Sequence, residues 1–595
     1  MSVKVWVLDS GVNLEHPMLK NAHIQSFDFS DHRLRSCENN DDYGHGTAIS
    51  SIIGKKEFAE IYSVKLNNNE PLEDEKLLIE ILHYIYLYED ADIINMSLGL
   101  NICENKSELQ SICMKLHEKG TIIVSAFDNL GSISYPAAFE CVIGVISGAR
   151  CQKISQFEYI DNSVINIAAK GSIQRVAWNN PRYLMLGGNS FACAHVTAQI
   201  VDFMNDGIRN FDDILQEFRK MAVVTWTNLN SSNDRRKKEK ITIQKAILFP
   251  FNKEMHSLVR FSHLLSFDIV GIYDVRLSAH VGTGTSHLMG DDVLDICIQN
   301  IEDIDWTQFD TIILGHTEEL SIMVGRQVIL DLLSKAQKYG KQVYSFEPPP
   351  IEWLNQDFIS FPVVERSDLP SNLFGNLYRI SKPVLGVFGT SSKQGKFTLQ
   401  LKLRELLMKD GYKVGQIGTE PNSLLFGFDE VFPIGYHSTV NISGDEIILY
   451  LNDKINRLCD ISDLIIVGSQ SGTIPYDTGN LLQYATNQYL FLQGTQPDGV
   501  VLCVNPFDEE EYVWRTICFI ESAIGCKVIA LVLFPVALDD DWRGIYGGKR
   551  KCTENESFDL AKSFSQIYKR SVYILGNCRD MEDLKNEVVQ FFSEK

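Results

Sequence analysis

Short β-branched apolar runs alternate with helical patterns along most of the chain, and this alternation is the feature that most restricts the fold. A parallel α/β sheet produces such a pattern, because each strand needs a crossover, usually a helix, before the next parallel strand. In the first 222 residues the predicted strands are Val3–Leu8, Ile61–Lys65, Ile93–Met96, Ile122–Ala126 and Val142–Ile146. The sequence therefore predicts an α/β fold with parallel sheets.

The chain has 595 residues, more than one hydrophobic core normally spans, so several domains are expected. We assign residues 1–222 to a first domain, 223–244 to a linker, 245–378 to a Rossmann-like α/β domain and 379–595 to a third α/β domain. The basic run Arg235–Lys240 is interpreted as solvated linker. In the second domain the strands are predicted at Ile269–Tyr273, Thr311–Leu314 and Gln342–Phe346.

Charge and composition limit the partners of the chain. The net charge of −22 repels phosphate backbones and anionic lipids, so we expect neither nucleic acid nor a membrane surface as a partner. The 13 cysteines are scattered without the spacing of a disulfide framework or a zinc site, which is typical of a reducing compartment. The first strand begins at residue 3, which leaves no room for a signal peptide or a pro-segment. We therefore expect a cytoplasmic protein.

Three separated motifs supply the side chains that acyl transfer by a serine requires. Asp9 ends an apolar strand in Asp9-Ser10-Gly11, and His45 lies between two glycines at the start of an apolar helix. Ser190 follows two glycines and an asparagine at another helix start. Taken singly, these residues are a turn acid, a loop histidine and an N-cap serine. Their combination predicts a catalytic triad.

The order acid, histidine, serine resembles the subtilisin-like serine peptidases (subtilases) over the first domain. The resemblance implies that Ser190 is the nucleophile, His45 the general base and acid, and Asp9 the carboxylate that orients the imidazole. Asn189 stands where the family usually has Thr, and Ala194 stands where it usually has Pro. Both residues are compatible with the turn and the helix start.

The resemblance also implies an oxyanion donor. Asn129 follows a predicted strand and precedes Tyr135-Pro136, which is where the family places a side-chain amide. The backbone N–H of Ser190 would be the second donor. No metal ion is expected, because the domain is short for the family and its calcium-binding loops are not evident.

A substrate-binding wall is implied at Ser97, Leu98 and Gly99, which resemble the strand that pairs with extended peptide beside the primary specificity pocket. Asp128 precedes the oxyanion asparagine, where small residues are usual. We hypothesise that its carboxylate favours cleavage after Arg or Lys; the alternative is a loop carboxylate that turns outward. A peptide or protein is the expected substrate.

The third domain opens with a buried strand, a glycine-rich loop and an amphipathic helix. Gly389, Gly395 and Lys396 would form a phosphate cradle at the helix N-terminus, and Thr398 would reach a magnesium ion. The alternative is a glycine-rich turn without a ligand. The spacing has one residue more than the common Gly-x4-Gly-Lys pattern.

This loop is similar to that of dethiobiotin-synthetase-like proteins, and residues 260–595 resemble a Rossmann and P-loop family that includes D-glutamate N-acetyltransferases. The likeness continues at Lys413–Glu420 and at Ser462–Gly472, where Gln470 is kept but Gly468 and Ser469 replace an expected acidic residue. The resemblance implies a site for ATP with magnesium or for coenzyme A.

Together these features predict an intracellular serine endopeptidase, which itself needs no cofactor, fused to a nucleotide-binding module. Such a protein could process one specific peptide during its maturation. The alternative is a P-loop-dependent N-acyltransferase or ligase that acts on an amino acid or peptide, with the subtilase-like domain as a binding platform. In a third interpretation nucleotide binding gates proteolysis.

Overall fold

The computed structural model describes residues 2–38, 41–66, 71–227, 242–290, 293–317, 320, 327–354, 356–370, 374–435, 438–480, 484–538 and 549–594. The chain divides into two compact units, residues 1–231 with 370–381 and residues 232–369 with 382–595. The basic run Arg235–Lys240 lies outside the described residues. Among the helices of the described ranges, none has the length and apolar character that crossing a membrane requires.

The first unit contains a ten-stranded sheet and five α-helices among its described residues. Its elements up to residue 231 are β1 (Val3–Asp9), β2 (His23–Ser30), β3 (Arg33–Ser36), α1 (His45–Ile53), β4 (Ala59–Lys65), α2 (Pro71–Tyr88), β5 (Ile93–Met96), α3 (Lys106–Glu118), β6 (Ile122–Ala126), β7 (Ser132–Ile133), β8 (Val142–Ser147), β9 (Glu158–Ile160), β10 (Ile167–Ala169), β11 (Gln174–Ala177), β12 (Tyr183–Leu186), α4 (Asn189–Asn205), α5 (Phe211–Met221) and β13 (Val224–Trp226). The strand order is β13-β9-β10-β8-β6-β5-β1-β4-β2-β3, and the central strands are parallel.

Both faces of the central strands β1, β5 and β6 are buried, as continuous, mostly apolar strands require. Alternate residues of β1 point to opposite faces. Val5 and Val7 pack with α1 and α4 on one face, while Trp6 and Leu8 pack with α2 and α3 on the other. The carboxyl ends of β1, β5 and β6 therefore lie side by side at one edge, where the chain leaves the sheet.

The second unit holds two parallel sheets. Residues 242–369 form β14 (Lys245–Phe249), α6 (Met255–Arg260), β15 (Asp268–Asp274), α7 (Thr285–Met289), β16 (Gln299–Asn300), β17 (Thr311–Leu314), α8 (Gln327–Lys338), β18 (Gln342–Ser345) and β19 (Ile359–Ser360), in the sheet order β16-β15-β14-β17-β18-β19. The strand β20 (Leu377–Tyr378) follows and belongs to the first unit.

The remaining elements are β21 (Val384–Gly389), α9 (Lys396–Lys409), β22 (Val414–Gly418), β23 (Glu430–Val431), α10 (Asp445–Cys459), β24 (Leu464–Gly468), α11 (Thr486–Thr495), β25 (Gly499–Val504), α12 (Glu510–Ile524), β26 (Lys527–Leu533), β27 (Val536–Leu538), β28 (Lys549–Lys551), α13 (Glu554–Tyr568), β29 (Ser571–Ile574) and α14 (Cys578–Ser593). Their main sheet has the order β23-β22-β24-β21-β25-β26-β29. The predicted α/β class with parallel sheets is confirmed.

The unit boundaries differ from those expected from the sequence. β13 pairs with β9, so residues 224–226 extend the first sheet into the predicted linker. Residues 370–381 join the first unit because β20 pairs with β7. The predicted second and third domains share one core, in which Leu401, Phe426 and Phe428 pack with side chains of β14 and β15. Apolar contact between the two sheets therefore makes them one compact unit.

Candidate active site

Asp9 lies at the carboxyl end of the central strand β1, and its side chain is 5% exposed. Its Oδ1 accepts hydrogen bonds from the Ser10 backbone N–H at 2.7 Å and from His45 Nδ1 at 2.8 Å. Because the Nδ1–H group donates to Asp9 and keeps its proton, the Nε2 atom of the neutral imidazole is the basic nitrogen. Two of the three predicted catalytic residues are thus in direct contact.

Glycines allow His45 to approach β1 so closely. Gly44 has φ +110°, a backbone conformation that favours glycine, and it precedes α1 directly. A Cβ on Gly46 would lie 2.1 Å from the Gly11 carbonyl oxygen, so no side chain fits there. The Gly-His-Gly sequence is therefore required by close packing of α1 on the turn after β1.

Asp41 organises the same turn, and the sequence analysis did not identify it. Its carboxylate accepts hydrogen bonds from the backbone N–H groups of Gly44 at 2.7 Å and Thr47 at 2.9 Å, and from Ser10 Oγ at 2.9 Å. These contacts satisfy donors at the start of α1 and fix the turn that carries Asp9. The available signal was an acidic residue four positions before His45.

The pKa of His45 is raised above its usual value. Burial by itself disfavours the imidazolium, but the charge and hydrogen bond of Asp9 and the charge of Asp41 outweigh it. A carboxylate that stabilises the imidazolium suits a base that must hold a proton during acyl transfer.

Ser190 is the second residue of α4, the helix that packs against α1. The ring of the adjacent Phe191 has its centroid 5.9 Å from that of His45. The Ser190 hydroxyl donates to the Ser97 carbonyl at 2.9 Å, and Ser97 Oγ donates to the Ser190 carbonyl at 3.2 Å. Within the described residues no hydrogen bond joins Ser190 to His45, and catalytic hydrogen bonds are often long before substrate binds.

Asn129 lies in the exposed loop after β6 and is anchored to the nucleophile turn. Its Oδ1 accepts the backbone N–H of Asn189 at 2.8 Å. The Nδ2 group has no hydrogen-bond partner among the described residues, so it is a donor available to a ligand. Gly188 leaves room for this amide, since a Cβ there would lie 3.0 Å from Asn129 Oδ1.

Asn189 holds the nucleophile turn to two strand ends, a role that its sequence position did not reveal. Its Nδ2 donates to the carbonyls of Phe127 and Asp128, each at 3.0 Å, and its Oδ1 accepts the Ser147 N–H at 2.7 Å. The residue before the nucleophile thus joins α4 to the ends of β6 and β8.

The predicted substrate wall follows β5. Ser97 contacts the nucleophile as described, and the carbonyl of Leu98 accepts Ser125 Oγ at 3.3 Å. Gly99 lies against the Ser134 hydroxyl, where a Cβ would be only 2.6 Å away. Asp128 accepts the Leu130 N–H at 3.0 Å in a local turn. This contact favours the loop carboxylate over the specificity role, which stays a hypothesis.

The phosphate loop lies between β21 and α9, as predicted. Gly395 adopts φ +73° directly before the helix. The buried Lys396 donates from Nζ to the Ser391 carbonyl at 2.7 Å. The Gln394 side-chain oxygen accepts the Ser391 N–H at 3.0 Å. The same oxygen lies beside Gly389, where an added Cβ would be only 2.5 Å from it. The Gln394 amide oxygen is therefore the acceptor that the Ser391 N–H has in this structure.

The other two predicted cofactor-binding residues, Thr398 and Gln470, lie outside the loop. Thr398 lies in the first turn of α9, and Phe397 before it packs on Phe426 and Phe428. Gln470 donates from Nε2 to the Thr419 carbonyl at 2.8 Å, so it contacts the end of β22 rather than the loop. Burial lowers the pKa of Lys396 to about 8, against the charges of Cys503 and Glu420.

A cavity of about 870 Å³ opens beside the first residues of the loop. Its lining includes Thr390, Ser391, Ser392, Tyr476, Tyr484 and Phe507. The volume and the mixed aromatic and polar lining suit a small organic ligand. None of the five predicted cofactor-binding residues lines this cavity, so the sequence analysis did not indicate this space. Within the described residues, no cluster of three or more His, Cys, Asp or Glu side chains is placed to hold a metal.

Comparison with known families gives two matches. Residues 1–209 match the subtilase family (peptidase S8), and residues 373–513 match the P-loop domain of the DUF1611 family, a domain of unknown function. Among solved structures, a DUF1611 family protein from Anabaena variabilis covers 59% of this chain and 100% of its own, at 13% identity and a TM-score of 0.40. Sphericase covers 37% of this chain and 84% of its own, at 22% identity and a TM-score of 0.30.

Several curated relatives match about a third of this chain. The major intracellular serine protease of Bacillus subtilis is 29% identical over 218 residues, 33% of this chain and 67% of the relative. Thermitase from Thermoactinomyces vulgaris is 28% identical over 206 residues, 32% of this chain and 71% of its own. The match spans only 31% of the minor extracellular protease Epr of Bacillus subtilis. The chain therefore carries a subtilase-family domain at its N-terminus and a DUF1611 P-loop domain at its C-terminus.

Proposed function

We propose that this chain is a serine endopeptidase. The observation that carries the proposal is the 2.8 Å hydrogen bond between Asp9 and His45, with Ser190 on the neighbouring helix. The subtilase match and its serine protease relatives support the same chemistry.

The reaction follows from the groups at the edge of the sheet. Ser190 Oγ attacks the peptide carbonyl carbon while His45 Nε2 accepts the hydroxyl proton, and Asp9 stabilises the imidazolium. The carbonyl oxygen becomes an oxyanion that Asn129 Nδ2 and the Ser190 N–H would stabilise. Collapse breaks the C–N bond as His45 returns the proton to the leaving amine. Water then hydrolyses the acyl-enzyme along the same path.

Attack requires the Ser190 hydroxyl to leave the Ser97 carbonyl. The hydroxyl would turn by rotation about the side chain toward His45, and a peptide paired with residues 97–99 would bring the scissile carbonyl to it. Wild-type protein should therefore cleave peptides and react with a serine-directed fluorophosphonate, whereas Ser190→Ala should do neither.

Ser155→Ala is a matched control, because Ser155 lies in an exposed loop of the same unit. It should label as wild type does. If wild-type protein fails to label while it remains folded, the peptidase proposal is wrong. Sequencing the peptides cut by wild type but not by Ser190→Ala would test whether the chain processes one specific peptide.

A second candidate function rests on the phosphate loop and its adjoining cavity. The Ser391 N–H, Lys396 Nζ and the N-terminus of α9 would hold phosphate groups of ATP–Mg or coenzyme A. Bound nucleotide would supply an activated phosphoryl group, and bound acyl-coenzyme A an acyl group, for an N-acyltransferase or ligase acting on an amino acid or peptide. Isothermal titration with ATP–Mg and with coenzyme A should show binding that Lys396→Ala abolishes. Equal binding by both proteins would contradict this candidate.

A further inference from the structure

The first unit includes a strand, β20, whose residues lie in the sequence between the two segments of the second unit. Residues 374–381, here called the β20 segment, lie between β19 and β21 in the chain but belong to the first unit. Leu377 pairs with Ser132 and Tyr378 with Ile133 in a parallel ladder between β20 and β7. Arg379 Nε also donates to Ser132 Oγ at 3.3 Å.

The strand β7 is part of the loop that carries the oxyanion donor. We call residues 127–135 the oxyanion loop. Asn129 lies three residues before Ser132, and Gly131 between them is so close to the β20 segment that a Cβ there would lie 3.3 Å from Asn376 Oδ1. The β20 segment therefore contacts the loop within two residues of Asn129.

Hydrogen bonds of Asp128 and Tyr135 hold the oxyanion loop to itself and to the chain after β5. The Asp128 N–H donates to Ser134 Oγ at 3.0 Å, and Tyr135 pairs with Leu100 beyond the substrate wall. The oxyanion loop also packs into an apolar cluster, in which Tyr378 and Trp226 contact the cluster of the fully buried Ile133. The β20 segment thus holds the loop by strand pairing and by apolar packing.

We propose that the β20 segment is a positioning element that holds Asn129 in the orientation needed to stabilise the oxyanion. An oxyanion donor works only when it is held within a few tenths of an ångström of its productive position. Asn129 is itself exposed, and within the described part of the chain its side chain hydrogen-bonds only to the Asn189 N–H, so the backbone of its loop must supply the remaining restraint. This inference rests on the proposed peptidase activity.

The consequence is that the peptidase site is not complete in residues 1–227 alone. The β20 segment continues into β21, which ends at the phosphate loop.

The test uses the full-length chain with two variants of different severity. The double variant Leu377→Pro/Tyr378→Pro removes the backbone N–H of both residues of β20. It therefore removes every hydrogen bond that β20 can donate to β7. Arg379→Ala removes only the contact with Ser132. Arg209→Ala is the control, because its ion pair with Asp92 lies at the opposite end of β5 from Ser97.

Two readouts separate this inference from the peptidase proposal. Hydrogen–deuterium exchange in residues 127–135 should become faster in the proline variant and stay unchanged in the control. In peptide hydrolysis the proline variant should lose roughly 10- to 100-fold in kcat, somewhat less than complete loss of an oxyanion donor, with KM within about twofold.

The decisive comparison places Arg379→Ala in an Asn129→Ala background. If the β20 segment acts through Asn129, Arg379→Ala lowers kcat in the wild-type background and has no further effect once Asn129 is absent. Additive losses, or unchanged exchange in residues 127–135, would overturn the inference. If exchange in residues 127–135 is faster in the proline variant than in wild type, but wild-type protein neither labels nor cleaves, the attachment is upheld and the peptidase proposal alone is rejected.

Discussion

Replacing Asn189 by alanine should loosen the nucleophile turn without removing any residue of the triad. The substitution deletes two donated hydrogen bonds of 3.0 Å and one accepted bond of 2.7 Å. The Ser147 N–H loses its acceptor, which costs about 1–3 kcal/mol, and the two donated bonds add about 1 kcal/mol each, less whatever water restores. We therefore expect a loss of about 2–4 kcal/mol in the free energy of unfolding of the first unit.

Thermal unfolding followed by calorimetry measures this loss. For a unit of this size about 1 kcal/mol lowers Tm by roughly 2–4 °C, so Asn189→Ala should lower the first unit's transition by roughly 5–15 °C. Asn205→Ala is the control, since Asn205 is the exposed last residue of the same helix and should change stability by less than about 0.5 kcal/mol.

Activity should respond in the same direction. The Asn189 N–H still anchors Asn129 in the alanine variant, but the strand ends on which that contact depends become looser. We expect kcat to fall by roughly tenfold while phosphonate labelling of Ser190 is slowed rather than lost. A Tm within about 2 °C of wild type would refute the reasoning, because water would then be replacing the amide at no cost.

Further predictions concern the triad, the glycine packing and the phosphate loop. Asp9 raises the pKa of His45, so Asp9→Asn should move the acidic limb of the kcat/KM profile to lower pH and reduce its plateau by about 10⁴-fold; an unmoved limb would contradict this. Gly46→Ala places a Cβ 2.1 Å from the Gly11 carbonyl and should cost about 1–3 kcal/mol or more in a denaturant titration, whereas unchanged stability would show that the turn can shift. Lys396, with its pKa lowered to about 8, is cationic below that pH and neutral above it, so ATP–Mg affinity measured by titration calorimetry should fall between pH 7 and pH 9; affinity independent of pH would assign phosphate binding to backbone N–H groups alone.

Local sequence patterns located the main elements of the fold well. The predicted strands Ile93–Met96, Ile122–Ala126 and Thr311–Leu314 have the same bounds in the structure, because a short buried strand is a mostly apolar run with polar or turn residues beside it. The sequence predicts a domain boundary at residue 378, whereas residues 370–381 belong to the first unit in the structure. The strand β20 in this stretch is only two residues long, too short to give a local signal. Its assignment depends on pairing with a strand almost 250 residues earlier, which no local pattern contains.

The sequence by itself determined where the reactive groups stand: an acid at a strand end, a histidine between glycines and a serine at a helix start are local features with local causes. Only the tertiary structure decided what surrounds them. The Ser97 carbonyl that holds Ser190 lies 93 residues away, and the Phe127 carbonyl bound by Asn189 lies 62 residues away. Periodicity reports which face of an element is buried, but not which distant backbone group meets it, and hydrogen bonds are too short in range to form until the whole sheet is assembled.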